Sequence, residues 1–243
     1  MKTVLVLGAT SGIGEALAYR FAKEKYELVL AARQQDALTD TVMDLQIRFG
    51  AKATAVSFDA EEFGAHKAFY DSLNIKPDVV VCVFGYLGNH SETRKNFSEA
   101  LKTINANYTG AVSILDIVAN DFEKRKTGTI IGVSSVAGER GRNSNYHYGS
   151  AKAGFTAYLS GLRQRLHASG VDVLTVKPGF VRTKMTENMA LPPLLTVSAE
   201  KSAEDIFRAF SKRKNVVYTS FIWRYIMFII KHIPEGIFKK LNL

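Results

Sequence analysis

The sequence predicts an α/β fold: a doubly wound parallel sheet covered by helices on both faces. Three observations predict it. Short, continuous apolar runs alternate with amphipathic segments of helical length along the 243 residues. A glycine cluster joins the first run to the first amphipathic segment. No Gly/Ser or Pro stretch marks a linker, so a single domain is expected. Continuous apolar runs fit strands buried on both faces, and regular strand–helix alternation indicates crossover units and a parallel sheet. Such sheets bind ligands beyond the carboxyl ends of their strands.

Taken in order, Thr3 to Leu7 is the first buried strand, and Gly8-Ala9-Thr10-Ser11-Gly12-Ile13-Gly14 is the turn after it. Glu15 to Lys25 is a helix with Ala16, Leu17, Phe21 and Ala22 on one stripe. Glu27 to Ala31 is a strand, Gln35 to Phe49 a helix, Thr54 to Phe58 a strand, and Val79 to Phe84 another. Glu99 to Phe122 is one long helix, Gly128 to Val133 a strand, and Tyr148 to Ala168 a helix. Val171 to Val176 and Asn215 to Thr219 complete the set. The expected division is a catalytic domain over 1–220, with 185–205 as a substrate loop, and an amphipathic segment over 221–243.

Composition narrows the function. A 47% hydrophobic and 11% aromatic content is that of a globular chain. The net charge of +9 is compatible with nucleic acid, anionic lipid or an anionic small molecule. No helix-turn-helix, zinc finger or aromatic RNA-binding signature occurs, so nucleic acid is not an expected partner. The histidines show no ligand spacing with one another or with the single Cys82, so no metal is expected. One cysteine allows no internal disulfide, which fits a reducing compartment. Without a secretory leader or an apolar run of about 18 residues, the reading is a cytoplasmic protein, with the inner membrane face as an alternative station.

The glycine cluster lets backbone approach a pyrophosphate at a helix N-terminus, the context a dinucleotide site requires. After the second strand, Ala31-Ala32-Arg33 lacks the acidic residue that holds an NAD ribose. Arg33 suits a 2′-phosphate, which favours NADP over NAD; the alternative is a solvated arginine and a site that tolerates both. Asp59 ends the third strand, where it either meets the adenine amine or caps the next segment.

At the other end, Tyr148 and Lys152 stand one helical turn apart and share a face. A phenol titrates at about 10, and a neighbouring ammonium favours its ionised form, giving a tuned acid/base. Ser134-Ser135 sits at a strand's carboxyl end. Asn105 and Asn107, followed by Gly110, are poor chemistry inside a helix, and such violations are often functional. Lys177-Pro178-Gly179-Phe180-Val181-Arg182-Thr183 is a rigid turn placed to wall the nicotinamide side.

In these motifs the chain resembles the short-chain dehydrogenase/reductase family over about residues 3 to 185. Gly8-x-x-x-Gly12-Ile13-Gly14, Asp59-Ala60, Asn107-x-x-Gly110, Ser135, Tyr148-x-x-x-Lys152 and Pro178-Gly179-x-x-x-Thr183 occur in the family's order. The resemblance implies a Rossmann-type fold and a catalytic set of Asn107, Ser135, Tyr148 and Lys152. Tyr148 would exchange the proton and Ser135 would bond the substrate oxygen. Lys152 would lower the Tyr148 pKa and hold the ribose, and Asn107 would fix a water behind Lys152. It further implies cofactor contacts from Gly8, Thr10, Ser11, Gly12, Ile13 and Gly14. Arg33, Asp59, Gly85, Tyr148 and Lys152, then Pro178, Gly179, Val181 and Thr183, would complete them. Leu7 and Cys82-Val83-Phe84 depart from the family pattern, which often has Thr at the first position and Asn-Asn-Ala at the others. A homodimer or homotetramer through the Glu99 and Tyr148 helices is implied as well.

Gly138 to Tyr146, with Phe84 to Gly88, resembles the subgroup of decaprenylphosphoryl-2-keto-pentose reductases, which implies a lipid-linked carbonyl substrate. Arg140 and Arg142 would either meet a phosphate there or pair with carboxylates such as Glu139. Phe221 to Lys231 is too short to span a bilayer and suits an interfacial helix, a lid or a subunit contact. Met185 to Leu195 is expected to cover the substrate. The activity implied is reduction of a ketone to a secondary alcohol with NADP(H). The alternatives are reduction of a steroid or fatty ketone, sugar-nucleotide epimerisation, and a non-catalytic dinucleotide-binding redox sensor.

Overall fold

In a computed structural model describing residues 1–241, six strands alternate with helices before the chain turns back. These are β1 (Thr3–Leu7), β2 (Glu27–Ala32), β3 (Ala53–Ser57), β4 (Val79–Cys82), β5 (Thr129–Val133) and β6 (Asp172–Pro178). Two short strands, β7 (Phe180–Arg182) and β8 (Thr196–Ser198), pair with each other, and β9 (Val216–Thr219) closes the main sheet. The main sheet runs β3-β2-β1-β4-β5-β6-β9, all parallel. Leu7 aligns with both Ala31 and Cys82, so the carboxyl ends of β1, β2 and β4 share one edge.

The strands are buried because alternate side chains serve opposite cores. Val4, Val6, Leu28, Leu30 and Val81 pack against α1 (Gly12–Lys23). Leu5, Leu7, Val80 and Ile130 face the other way, toward Ile114, Leu115, Phe155 and Leu159. Each fully buried Leu or Phe contributes about 1.5–3 kcal/mol. The doubly wound fold is therefore confirmed.

The remaining helices show where sequence patterning was incomplete. The expected helix from Gln35 is a 3₁₀ turn followed by α2 (Thr39–Phe49). Helix α3 (His66–Ser72) and the single turn α4 (His90–Thr93) fall where none was expected. The expected long helix from Glu99 is broken into α5 (Phe97–Ile104), a π-helical turn at Asn105–Thr109 and α6 (Gly110–Arg125). The break centres on Asn107, whose Nδ2 donates to the Thr103 carbonyl at 2.8 Å and to the Tyr86 carbonyl at 2.5 Å. Helix α7 (Tyr146–His167) begins two residues before Tyr148.

The span 185–205 is not loop throughout. It holds most of one 3₁₀ turn, all of a second, strand β8 and the start of α8 (Ala199–Ser211). Helix α8 buries Ala203, Ile206 and Phe207 in the same core as α1. Beyond β9, α9 (Ile222–His232) and the short α10 (Glu235–Phe238) end the described chain. Helix α9 buries Trp223 and Met227 against Val136, with Phe180 and Leu195 beside them. The Trp223 Nε1 donates to the Leu195 carbonyl at 3.2 Å. Among the described residues no helix is long and apolar enough to cross a membrane. The last two residues of the expected amphipathic segment, 242 and 243, lie outside the described residues.

Candidate active site

A cavity of about 550 Å³ opens along the carboxyl edge of the sheet. Its first wall is the turn after β1. Ser11 caps α1, with its hydroxyl accepting the Gly14 N–H at 3.1 Å and donating to the Gly8 carbonyl at 2.8 Å. The N–H groups of Gly12 and Ile13 have no intrahelical acceptor by helix geometry, and both residues line the cavity with Gly8, Thr10 and Ser11. Gly8 has φ +94°, and a Cβ there would lie 2.6 Å from the Phe84 nitrogen. Backbone and an open helix end thus form a cradle that fits a pyrophosphate. Gly14 packs behind this cradle and does not line the cavity.

Arg33 follows β2 on the cavity wall, exposed and in no ion pair among the described residues. Asp59 follows β3 and also lines the cavity; its Oδ1 accepts the Glu61 N–H at 2.9 Å. Gly85, Pro178, Gly179, Val181 and Thr183 line it too.

Tyr148, Lys152 and Ser135 meet at the inner end. Ser135 leaves β5 in extended conformation, and its hydroxyl accepts the Ala137 N–H at 3.1 Å. Burial pushes the Tyr148 phenol up to about 12, while its hydrogen bond with Ser135 acts in the opposite direction. Lys152 is 3% exposed, and burial pushes its ammonium down to about 8. Its Nζ donates to the Val133 carbonyl at 3.1 Å and lies 5.8 Å from the Tyr148 ring centre. From the protein's own groups, then, burial governs the phenol. The expectation that Lys152 lowers the Tyr148 pKa is not met among these groups.

Asn107 stands one layer behind the wall rather than on it. It is 1% exposed, and its Oδ1 accepts the Tyr86 N–H at 3.3 Å. The π-helical turn widens the helix so that this side chain reaches the β4 loop. A Cβ on Gly85 would lie 2.6 Å from Asn107 Oδ1 and 3.4 Å from Lys152 Nζ, so both groups converge on the space glycine leaves open. The family resemblance implies Gly85 as a cofactor contact, and its closeness to Asn107 and Lys152 is seen only in the fold.

Residues beyond the expected set also contribute. Lys102 and Asn145 line the cavity, as do Tyr86, Phe180, Met185 and Met189. Lys102, on α5, lies over the Tyr86 ring, a contact between distant segments that leaves no signal in the sequence. Asn145 could have been found as the polar residue just ahead of the Tyr148 helix.

The two arginines of the connecting loop separate. Arg140 leaves the mouth and pairs with Glu235 at 2.6 Å, stacking on Phe238. Arg142 lines the cavity. The expected carboxylate pairing thus holds for Arg140, though with Glu235 rather than Glu139, and among the described residues it does not hold for Arg142. Glu139 is buried and takes Lys177 at 2.5 Å and the Tyr218 hydroxyl at 2.8 Å.

Known proteins share this chain's sequence family and fold. The family profile described as short chain dehydrogenase matches residues 2–192. An uncharacterized oxidoreductase of Mycobacterium tuberculosis is 34% identical over 241 residues, covering 98% of this chain and 96% of that one. A 3-oxoacyl-[acyl-carrier-protein] reductase of Synechocystis is 32% identical over 198 residues, 80% of each chain. Among solved structures, a short-chain dehydrogenase from Sphingobium yanoikuyae in complex with NADPH superposes with a TM-score of 0.83 at 23% identity, covering 97% of this chain and 98% of that one. The chain belongs to the short-chain dehydrogenase family of NAD(P)-dependent oxidoreductases.

Proposed function

We propose that this enzyme reduces a ketone to a secondary alcohol, with NADPH as cofactor and Tyr148 as the proton donor. The observation that carries the proposal is the meeting of Tyr148, Ser135 and Lys152 at the inner end of the cavity, with Asn107 behind. A phenol held near 12 is fully protonated at neutral pH and stands ready as an acid. NADPH, when bound, supplies the hydride to the carbonyl carbon. Tyr148 gives its proton to the carbonyl oxygen, and Ser135 donates a hydrogen bond as negative charge develops there. Lys152 opposes the charge left on Tyr148 and holds the ribose hydroxyls. Asn107 fixes a water through which Lys152 exchanges protons with solvent.

Gly8, Thr10, Ser11, Gly12 and Ile13 would hold the pyrophosphate, and Asp59 the adenine. Pro178, Gly179, Val181 and Thr183 would wall the nicotinamide, and Arg33 would take a 2′-phosphate. The NADPH bound to the Sphingobium structure supports that choice of cofactor. Turnover of a soluble diketone followed through NADPH absorbance tests the reading. Tyr148→Phe is expected to lose about a thousandfold in kcat while still binding NADPH; a variant within tenfold of the parent would overturn it.

For substrate we favour a lipid-linked keto sugar met at the cytoplasmic face of the membrane. Met185, Met189 and Phe180 give the cavity an apolar mouth. Phe221, which caps α9, and Tyr225, Phe228 and Ile229 on it are each more than 60% exposed, with Arg224 and Lys231 among them, as in an interfacial helix. In this reading 1–220 is the catalytic domain and 221–243 the surface segment. Flotation of the full chain with anionic vesicles, abolished by Phe221→Ser with Phe228→Ser, tests it; equal flotation sinks it. The Synechocystis relative favours a second reading, a 3-oxoacyl ketone. Exposed Phe97 and Leu101 on α5 support a homodimer or homotetramer through α5 and α7, to be checked by sedimentation.

A further inference from the structure

We infer that Arg142 forms an anion-binding subsite at the substrate end of the cavity, so that the ketone reduced here carries a phosphate or carboxylate group. The inference rests on the reductase reading and names a chemical class within it. Arg142 lies on the loop between Ser135 and Tyr148 and lines the same cavity as both. Its guanidinium makes no ion pair among the described residues. Among the described residues its one hydrogen-bond contact runs from Nη2 to the Met227 thioether at 3.3 Å, and sulfur is a weak acceptor. Its Nε is buried with no hydrogen-bond partner among the described residues.

A desolvated guanidinium without a counter-charge is costly, and burial alone drives its pKa down with nothing opposing. No carboxylate acts on Arg142: Glu139 is held through Oε1 by Lys177 and Tyr218, and Glu235 pairs with Arg140. The carboxylates that line the cavity, Asp59 and Glu61, follow β3 at its far end. The substrate end therefore holds an unanswered positive charge. Nε and Nη2 form one edge of the planar fork, the edge that grips phosphate or carboxylate through two parallel hydrogen bonds. Met227 is the flexible side chain that must yield to admit the ligand.

Four probe ketones test this: 4-acetylphenyl phosphate against 4-methoxyacetophenone, and 4-acetylbenzoate against its methyl ester. Binding is read from the fluorescence of the sole tryptophan, Trp223, with NADP⁺ saturating so that Arg33 is occupied. The parent enzyme is expected to bind at least one anionic probe about ten- to a hundredfold tighter than its neutral partner. Arg142→Gln is expected to erase that preference, and Arg142→Lys to keep part of it, since an ammonium supplies charge without the fork. Melting temperature and NADP⁺ affinity report whether each variant folds, and Arg142→Lys carries the comparison if Arg142→Gln does not. The phosphate and carboxylate pairs distinguish the two sources of anion. No preference in the parent enzyme, or a preference that survives in Arg142→Gln, overturns the subsite. Turnover separates the two readings: probes bound through Arg142 but never reduced sink the reductase while leaving the subsite, and reduction without charge preference does the reverse.

Discussion

At the turn after β1 and at Gly85 after β4 the cavity is walled by backbone and glycine, whereas past the Pro178–Gly179 turn that ends β6 long side chains wall it: Phe180, Met185 and Met189. The first wall rests on two large cores that bury Leu17, Phe21, Leu115 and Phe155 almost completely. The second rests on a small cluster of Val136, Trp223 and Met227. A backbone wall demands particular residue types, because only glycine permits φ of +94° or leaves room for the neighbouring atoms. A side-chain wall demands only bulk and can be repacked with other residues. Cofactor geometry is thus fixed by the chain path, and substrate choice by replaceable side chains.

The largest effect is expected where the small cluster ties to the sheet. Trp223→Ala removes a side chain that fills the space beside Met227 and bonds the Leu195 carbonyl. It should cost about 3–5 kcal/mol. Chemical denaturation decides how this region is coupled. One transition with a lower midpoint shows that α9 folds with the sheet; a separate early transition shows a satellite that melts alone.

Next comes Gly85→Ala, which probes the backbone wall. The added methyl would press on Asn107 and Lys152, and displacement of about 1 Å at such a site costs about a hundredfold in kcat/KM. Retained activity would mean that the Asn107–Lys152 arrangement is not what the reaction uses. Smaller again is Arg33→Ser, at the exposed rim of the same wall. Loss of one charge-assisted contact should raise the NADPH KM about ten- to a hundredfold and leave the NADH KM within about threefold. Equal changes for both cofactors would remove Arg33 from the 2′-phosphate site.

The same contrast decides what could be read from the sequence. Gly8, Gly12, Tyr148 and Lys152 were legible because their chemistry depends on residue type and local spacing, and the strand ends deliver them to one edge. The π turn was legible only as a fault, in Asn105, Asn107 and Gly110, and its form was not. The helical periodicity of Glu99 to Phe122 runs through it, and only the pairing of Asn107 with Tyr86, from a different segment, breaks the helix. Helix α8 carries a helical stripe of Ala203, Ile206 and Phe207, but the expected substrate loop of 185–205 overlaps only its first half. Arg140 and Arg142 look equivalent in the chain. They part only because α9 and α10 offer Glu235 and Phe238 to one and merely a thioether to the other.

The finest probe is pH, and it contrasts two groups on one wall. Lys152 sits near 8 in the fold, below the 10.5 of an exposed ammonium, because burial disfavours its charge. Tyr148 sits near 12, above its usual 10.0, for the same reason. For stability the signs follow directly. The Lys152 contribution is present above 10.5 and is lost as pH falls through about 8; the Tyr148 contribution is present below 10.0 and is lost as pH rises through about 12. For catalysis, reduction needs a protonated phenol, which persists across this range, and a charged ammonium, which does not. Reductive kcat/KM should therefore be level from pH 6 to about 8 and then fall by up to tenfold per unit. In Lys152→Arg the guanidinium cannot be deprotonated, so whatever activity remains should lose that limb. A limb that persists in Lys152→Arg would assign it to another group. A profile level to pH 10 would show that Lys152 keeps its proton at the working site, with the wall less dry than its burial implies.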